Sequence, residues 1–199
     1  MYRRKDAYYH RAKESGFRSR AAFKLIELAQ SERLFRPGDT VLDLGAWPGG
    51  WVQVAAKLVG PQGRVIAVDR RAIESVALPN VITITGDLFD AEIAEQVHAA
   101  TGGRIALLLS DLAPSLTGVR ARDEAEATRL VELVLSYADR GLLRGASLLT
   151  KLFMSGDFKQ VVGQIEARFE QVRILRPDAT RKGSAELYAL ARRFRGVPE

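Results

Sequence analysis

The chain contains no cysteine. Disulfides are therefore excluded, and so are metal sites built on thiolates. Histidine is nearly absent too. His10 and His98 lie far apart in the sequence and make a poor metal constellation. The expectation is a protein with no metal. No apolar run approaches the about 20 residues of a membrane span. The opening residues, MYRRKDAYYHR, lack the apolar middle of a secretory signal. These absences point to the cytoplasm and away from membranes.

Acid is scarce at one end. Residues 1–24 carry eight Lys/Arg and only two acids, Asp6 and Glu14. The net charge of +6 resides in that stretch, since the remaining chain balances to zero. Tyr2, Tyr8, Tyr9, Phe17 and Phe23 are interleaved with the basic residues. Basic and aromatic residues together suit nucleic-acid phosphates and stacked bases. A solvated tail that aids solubility is the plainer reading. With 199 residues, 47% of them hydrophobic, the chain is expected to form one domain, 1–199. Residues 1–36 read as a basic helical RNA-binding segment within it. A monomer is expected.

SRAAFKLIELAQSERL has helical periodicity, with Ser19 as N-cap, and Pro37-Gly38 ends it. Apolar strands and helices then alternate. The predicted strands are Thr40–Gly45, Arg64–Asp69, Val81–Asp87, Arg104–Asp111, Ala146–Phe153, Gln171–Pro177 and Ala185–Phe194. The predicted helices between them are Trp51–Gly60, Ala91–Ala100, Asp123–Arg140 and Phe158–Phe169. Near-continuous apolar strands joined by helices predict a parallel sheet covered on both faces. Only DATRKGS separates the last two strands, too short for a parallel crossover. The fold expected is α/β: a doubly wound, mostly parallel, seven-stranded sheet ending in an antiparallel hairpin.

The stretch DLGAWPGGW, Asp43 to Trp51, joins the first strand to its helix. Gly45 permits a turn that a side chain would obstruct, and Gly49 and Gly50 admit a ligand close to the backbone. This is not the dinucleotide fingerprint G-x-G-x-x-G. Pro48 stiffens the loop, which suits a compact ligand without phosphates better than a pyrophosphate. Asp69 ends the second strand, where an acid can accept from both hydroxyls of an adenosine ribose. Asp87 ends the third strand, within reach of an adenine amino group or a nearby loop. Each acid taken singly reads equally well as a helix cap. Together with the glycine loop they point to one crevice.

Lys151 stands in GASLLTKLFMSG, a charge on an apolar strand, which is costly unless paired. Asp111 ends the preceding strand, so the two can meet. The alternative for Lys151 is a snorkelling lysine at a strand end. The blocks GFRSRAAFKL, VLDLGAWPGGW, SDLAPS, LLTKLF and SAELYAL run in order along nearly the whole chain. Jointly they resemble the FtsJ/RrmJ family of RNA ribose 2′-O-methyltransferases. The nearest likeness is to its bacterial branch, which acts on a uridine of large-subunit (23S) ribosomal RNA. The resemblance implies the methyltransferase variant of the nucleotide-binding fold and the cofactor S-adenosyl-L-methionine. It maps a catalytic Lys-Asp-Lys-Glu tetrad onto Lys24, Asp111, Lys151 and Glu186. It maps cofactor contacts onto Gly49, Trp51, Asp69, Asp87 and Asp111, to which the loop reading adds Gly45. One departure is Trp47, where relatives more often carry a small residue.

That chemistry is consistent with the absences. A sulfonium methyl is already electrophilic, so no metal is required. A ribose hydroxyl needs its proton removed, and Lys151 is the general base the resemblance implies. Asp111 would orient Lys151, Lys24 would help hold the target nucleotide, and Glu186 would position the hydroxyl or Lys151. Glu186 reads alternatively as the partner of Arg181 or Lys182. Ribosomal RNA, within the large ribosomal subunit, is the expected partner. A second basic group, Arg173, Arg176, Arg181 and Lys182, is expected to grip phosphates. Three other readings stay open: the same chemistry on transfer RNA or a cap, a nicotinamide-dependent oxidoreductase, and a non-catalytic RNA-binding module.

Overall fold

The computed structural model describes residues 16–74, 78–115, 117–180 and 185–197. The basic stretch before Gly16 lies outside them, as do Arg181 and Lys182. In chain order the elements are α1 (Ala21–Glu32), β1 (Thr40–Leu44), α2 (Gly50–Val59), β2 (Arg64–Asp69), β3 (Val81–Thr85), α3 (Ala91–Thr101), β4 (Ile105–Ser110), α4 (Arg120–Gly141), β5 (Leu142–Phe153), α5 (Phe158–Glu166), β6 (Phe169–Leu175) and β7 (Glu186–Phe194). The seven strands form one sheet of order β3-β2-β1-β4-β5-β7-β6. β3, β2, β1, β4 and β5 pair in parallel. β7 runs antiparallel to both β5 and β6. The expected mostly parallel sheet with a terminal hairpin is what the chain forms.

Alternation along the strands splits the core into two layers. Leu42, Ile66, Leu108 and Leu148 face α3, α4 and α5, with Ile93, Val131 and Ile165 opposite them. Val41, Val65, Leu109, Leu149 and Leu190 face α1 and α2, with Leu25, Leu28 and Val52 opposite. Both faces are covered, which is why β1, β2 and β5 read as near-continuous apolar runs. β3 and β6 are the edges, and their exposed positions mix polar residues such as Thr83, Glu170 and Arg173 with Ile82 and Ile174.

Several boundaries differ from the sequence expectation. Ser19 is not the N-cap of the first helix. Arg20 holds that position with helical backbone and no side-chain cap bond. The Ser19 hydroxyl lies against Gly50 instead, where a Cβ would collide with it. Packing of α1 against α2 has overridden the local cap preference. α5 ends at Glu166 and β6 begins at Phe169, earlier than read, because Phe169 pairs with Phe194 and stacks against its ring at 5.2 Å. α4 begins at Arg120, ahead of Asp123. The Asp123 carboxylate accepts from Thr117 N at 2.8 Å and Gly118 N at 3.1 Å, bracing the chain just before the helix.

α1 is held down at three points. The Trp51 indole donates to Ala21 O at 2.8 Å. Glu27 accepts from Asp178 N at 2.7 Å and Ala179 N at 3.2 Å. The Arg192 guanidinium donates to the Glu32 carbonyl. These bonds place Lys24, in the second turn of α1, over the face of the sheet that carries Lys151. The sheet itself rests on its central strands. Leu148→Ala, at a fully buried position of β5, is expected to lower unfolding stability by about 3 kcal/mol. A fall in the urea midpoint with unchanged slope checks this.

Candidate active site

Strand order brings the carboxyl ends of β4 and β5 together, and β7 beside them. In the register, Ser110 lies opposite Thr150 and Lys151 opposite Tyr188. Asp111, Lys151 and Tyr188 therefore stand side by side at the ends of three neighbouring strands. Glu186 is two residues before Tyr188 and shares its face of β7.

The side chains close a ring. Lys24 Nζ donates to Glu186 Oε2 at 3.0 Å and Oε1 at 3.2 Å, and to the Tyr188 hydroxyl at 3.3 Å. Lys151 Nζ is 2.8 Å from Asp111 Oδ1, 2.9 Å from the Asp111 carbonyl and 3.3 Å from Glu186 Oε1. The Tyr188 hydroxyl donates to Asp111 Oδ1 at 2.6 Å. All four residues of the expected tetrad thus meet. Lys24 and Lys151 are only 4% and 7% exposed. Such burial is tolerable because each ammonium faces oxygen acceptors and the two carboxylates cancel the two cations. Glu186 pairs with these lysines. Its alternative partners, Arg181 and Lys182, lie outside the described residues.

Tyr188 was missed by the sequence reading, although a signal was present. Glu-x-Tyr at strand spacing puts both side chains on one face. Tyr188 is fully buried, with its ring 5.9 Å from that of Trp51. Burial pushes its phenol far above the ordinary range, and the Asp111 charge and hydrogen bond push the same way. It is a neutral donor to Asp111. For Glu186, burial favours the neutral acid. The charges of Lys151 and Lys24, with their hydrogen bonds, outweigh this and hold the carboxyl below its usual range.

Beside the ring is a cleft of about 630 Å³, walled by Gly45, Trp47, Asp69, Asp87, Asp111 and Leu112 among others. It lies at the carboxyl ends of β1, β2, β3 and β4, where the strand order reverses between β1 and β4. Gly45 has φ +78°, and a Cβ there would be 2.6 Å from Leu112 Cδ2. Asp69 accepts from Trp47 N at 3.0 Å and from Arg71 N at 2.9 Å, which ties the glycine loop to the end of β2. Asp87 accepts from Phe89 N at 3.0 Å. Asp43, at the end of β1, is fully buried, and neither carboxylate oxygen has a hydrogen-bond partner among the described residues. Burial pushes its carboxyl well above the usual range, as do the charges of Asp111 and Asp69. Four acids line the cleft, Asp69, Asp87, Asp111 and Glu126, against Arg70 and Arg71, and this excess of acid favours a ligand that is cationic and rich in donors.

Gly49 and Trp51 stand behind the cleft wall. Gly49, at φ +106°, faces the Arg18 side chain, and the Trp51 ring is committed to the core. Any contact from Trp51 to a ligand falls to its backbone at the start of α2. Trp47 points outward and is 46% exposed, with the Arg71 guanidinium 4.6 Å from its ring centre. Arg173, expected as a phosphate grip, donates instead to Glu32 at 2.6 Å. Among the described residues no acid or histidine cluster could hold a metal, and no helix is long and apolar enough to cross a membrane.

The depressed Glu186 pKa makes a signed prediction. Its carboxylate contributes stability above the unfolded-state pKa of about 4.3, and that contribution is lost as pH falls through the lower folded value. Glu186→Gln is therefore expected to be less stable than wild type at neutral pH, with the gap narrowing below about pH 4. Urea midpoints of both proteins measured against pH check this.

Comparison with known proteins agrees with the geometry. The model of the FtsJ-like methyltransferase family matches residues 17–194. A protein of Acidithiobacillus ferrooxidans named ribosomal RNA large subunit methyltransferase E is 42% identical over 195 residues, covering 98% of this chain and 88% of its own length. One of the same name from Methanothermobacter thermautotrophicus is 41% identical over 194 residues, covering 98% and 92%. Among solved structures, a Plasmodium falciparum protein described as a ribosomal RNA methyltransferase superposes with a TM-score of 0.81 at 22% identity, over 91% of this chain and all of that one. A fibrillarin/Nop5p complex chain gives 0.63 at 18% identity, over 87% and 83%. These two likenesses concern the fold alone. The family match and the curated relatives carry the conclusion: this chain belongs to the FtsJ-like methyltransferase family.

Proposed function

We propose that the chain methylates the ribose 2′-oxygen of a uridine in large-subunit ribosomal RNA, using S-adenosyl-L-methionine, with Lys151 as general base. The observation that carries this reading is the ring of Lys24, Glu186, Lys151, Asp111 and Tyr188 at the edge of an acid-rich cleft. The curated relatives, named as large-subunit ribosomal RNA methyltransferases, support the substrate. The reading includes action in the cytoplasm as a monomeric single domain, 1–199, with 1–36 contributing to the grip on RNA.

The cleft residues fit the cofactor. A sulfonium and an α-ammonium suit a cleft lined by Asp69, Asp87 and Asp111 at successive strand ends. The orphaned carboxyl of Asp43 is an unused acceptor. Asp69 keeps further lone pairs for a ribose diol. The cradle at Gly45 has no room for a side chain. When bound, the cofactor supplies an electrophilic methyl group on a positively charged sulfur.

The chain's own residues then align and deprotonate the nucleophile. Each hydrogen of a Lys151 ammonium has an acceptor: Asp111 Oδ1, the Asp111 carbonyl and Glu186 Oε1. The base form is reached when the ammonium gives one proton to solvent before the hydroxyl docks. Two N–H bonds still hold the amine in place, and the freed lone pair accepts the 2′-hydroxyl proton. Protonation restores the three-bonded ammonium, which Asp111 and Glu186 compensate. Lys24 fixes Glu186 through both carboxylate oxygens, and Tyr188 fixes Asp111. Holding the base at one position is the larger contribution, because orientation can account for several powers of ten in rate.

Lys151→Ala is expected to abolish label transfer from methyl-labelled S-adenosyl-L-methionine to large ribosomal subunits while cofactor binding is retained. Label mapped to a ribose 2′-oxygen with wild type alone supports the reading. Equal labelling by both proteins overturns Lys151 as base. Labelling of transfer RNA rather than large subunits by wild type overturns the substrate. Tyr188→Phe, which removes the hydrogen bond to Asp111, is expected to lower kcat about tenfold, the effect of losing about 1.4 kcal/mol of alignment. Single-turnover rates with saturating RNA check this.

A further inference from the structure

A second polar pocket, of about 400 Å³, opens at the amino-terminal ends of β1, β4 and β5, the opposite end of the strands from the cleft. Arg33, Arg36, Arg144 and Arg192 line it, with Asp39 as its one acid. Asp39 is already engaged, because its Oδ2 accepts from Arg36 N at 2.8 Å. Arg192 is tied to the Glu32 carbonyl. The guanidinium groups of Arg36 and Arg144 have no acidic partner among the described residues, and both residues are exposed.

The backbone brings these arginines together by two irregularities. The β4–β5 register shifts between Ile105 and Leu107: Ile105 pairs with Leu142, but Leu107 pairs with Ser147. The extra residues of β5 bulge outward, Gly145 turns at φ +82°, and Arg144 is carried on the bulge. Bulges of this kind re-aim a side chain out of the ladder. On the other side, α1 ends at Arg33 in a left-handed conformation, φ +51°. Glycine is the usual residue there, since a side chain is disfavoured. Arg33 also serves the negative end of α1. Arg36 and Arg144 have no such structural role.

We propose that this pocket is a distal phosphate site that grips RNA away from the reaction centre. The inference rests on the RNA reading above. Along β5, Arg144 and Lys151 are seven residues apart, at most roughly 20 Å at the rise of a strand, and less across the bulge. A nucleic-acid duplex carries a charge every ~3.4 Å of each strand, so one RNA can occupy both places. The pocket shares a face with α1 and β7, which also carry Lys24 and Glu186. An RNA path along that face joins the two sites. Arginine forks suit phosphate oxygens, and four guanidiniums against the single carboxylate of Asp39 suit a polyanion. Arg173 of the expected second basic group is paired with Glu32, and Arg181 and Lys182 lie outside the described residues.

The test uses the full chain and the double variant Arg36→Gln/Arg144→Gln. The probes are a labelled RNA hairpin long enough to span both sites, a short oligonucleotide that reaches only the reaction centre, and inorganic pyrophosphate. Affinity is measured between about 50 and 200 mM salt. The double variant is expected to bind the long hairpin about tenfold more weakly at low salt, with a slope of log affinity against log salt shallower by about 2. Short-oligonucleotide affinity, cofactor affinity and kcat at saturating RNA stay unchanged, which shows an intact fold. Unchanged affinity and slope for the long hairpin overturn the distal site and leave the methyltransferase reading standing. Loss of pyrophosphate binding with RNA binding unchanged makes it a small-anion site and overturns RNA as its occupant. Failure of the wild type to bind RNA overturns both readings.

Discussion

The constraint on which the site depends is the cost of burying two ammonium groups. A lone lysine in a protein interior loses its hydration, and several kcal/mol per ion go uncompensated. Lys24 and Lys151 are both buried, yet neither is alone. Glu186 lies between them, Asp111 holds Lys151, and Tyr188 bridges Asp111 and Lys24. Such a ring is weak evidence for stability, since apolar residues of like volume often do as well. Its value lies in geometry. No member can move without leaving a buried charge or dipole unpaired, so the lysine amine is held at one point beside the cleft.

Topology supplies the members of that ring from opposite ends of the chain. The parallel strands β1 to β4 end in acids and form the cleft at the reversal of strand order. The antiparallel β7 then enters between β5 and β6, delivering Glu186 and Tyr188 to Lys151. α1 closes the ring from above the sheet, bolted by Trp51, Glu27 and Arg192. Residues separated by more than 160 positions thus share hydrogen bonds of ordinary length.

Charge is sorted by place as well. The molecule is basic overall, at +6, but its cleft is lined by carboxylates and backed by the orphaned Asp43. On the proposed reading, a cationic cofactor and a polyanionic RNA each find a surface of opposite charge. Where they would meet, the ring is neutral in sum.

Periodicity and connection lengths were enough to establish the α/β class, the strands and the terminal hairpin, because burial on both faces writes long apolar runs and a seven-residue link cannot make a parallel crossover. The family resemblance carried by the ordered motif blocks nominated Lys24, Asp111, Lys151 and Glu186. Tyr188 needed the register of β5 against β7, which a sequence does not display. The N-cap of α1 and the start of β6 were decided by packing, of Ser19 on Gly50 and of Phe169 on Phe194. The commitment of the Trp51 ring to the core and of Arg173 to Glu32 were likewise tertiary outcomes. Local pattern determines what each segment can be. Which side chains share a hydrogen bond is set by contacts between segments far apart in sequence, and only the folded chain brings those together.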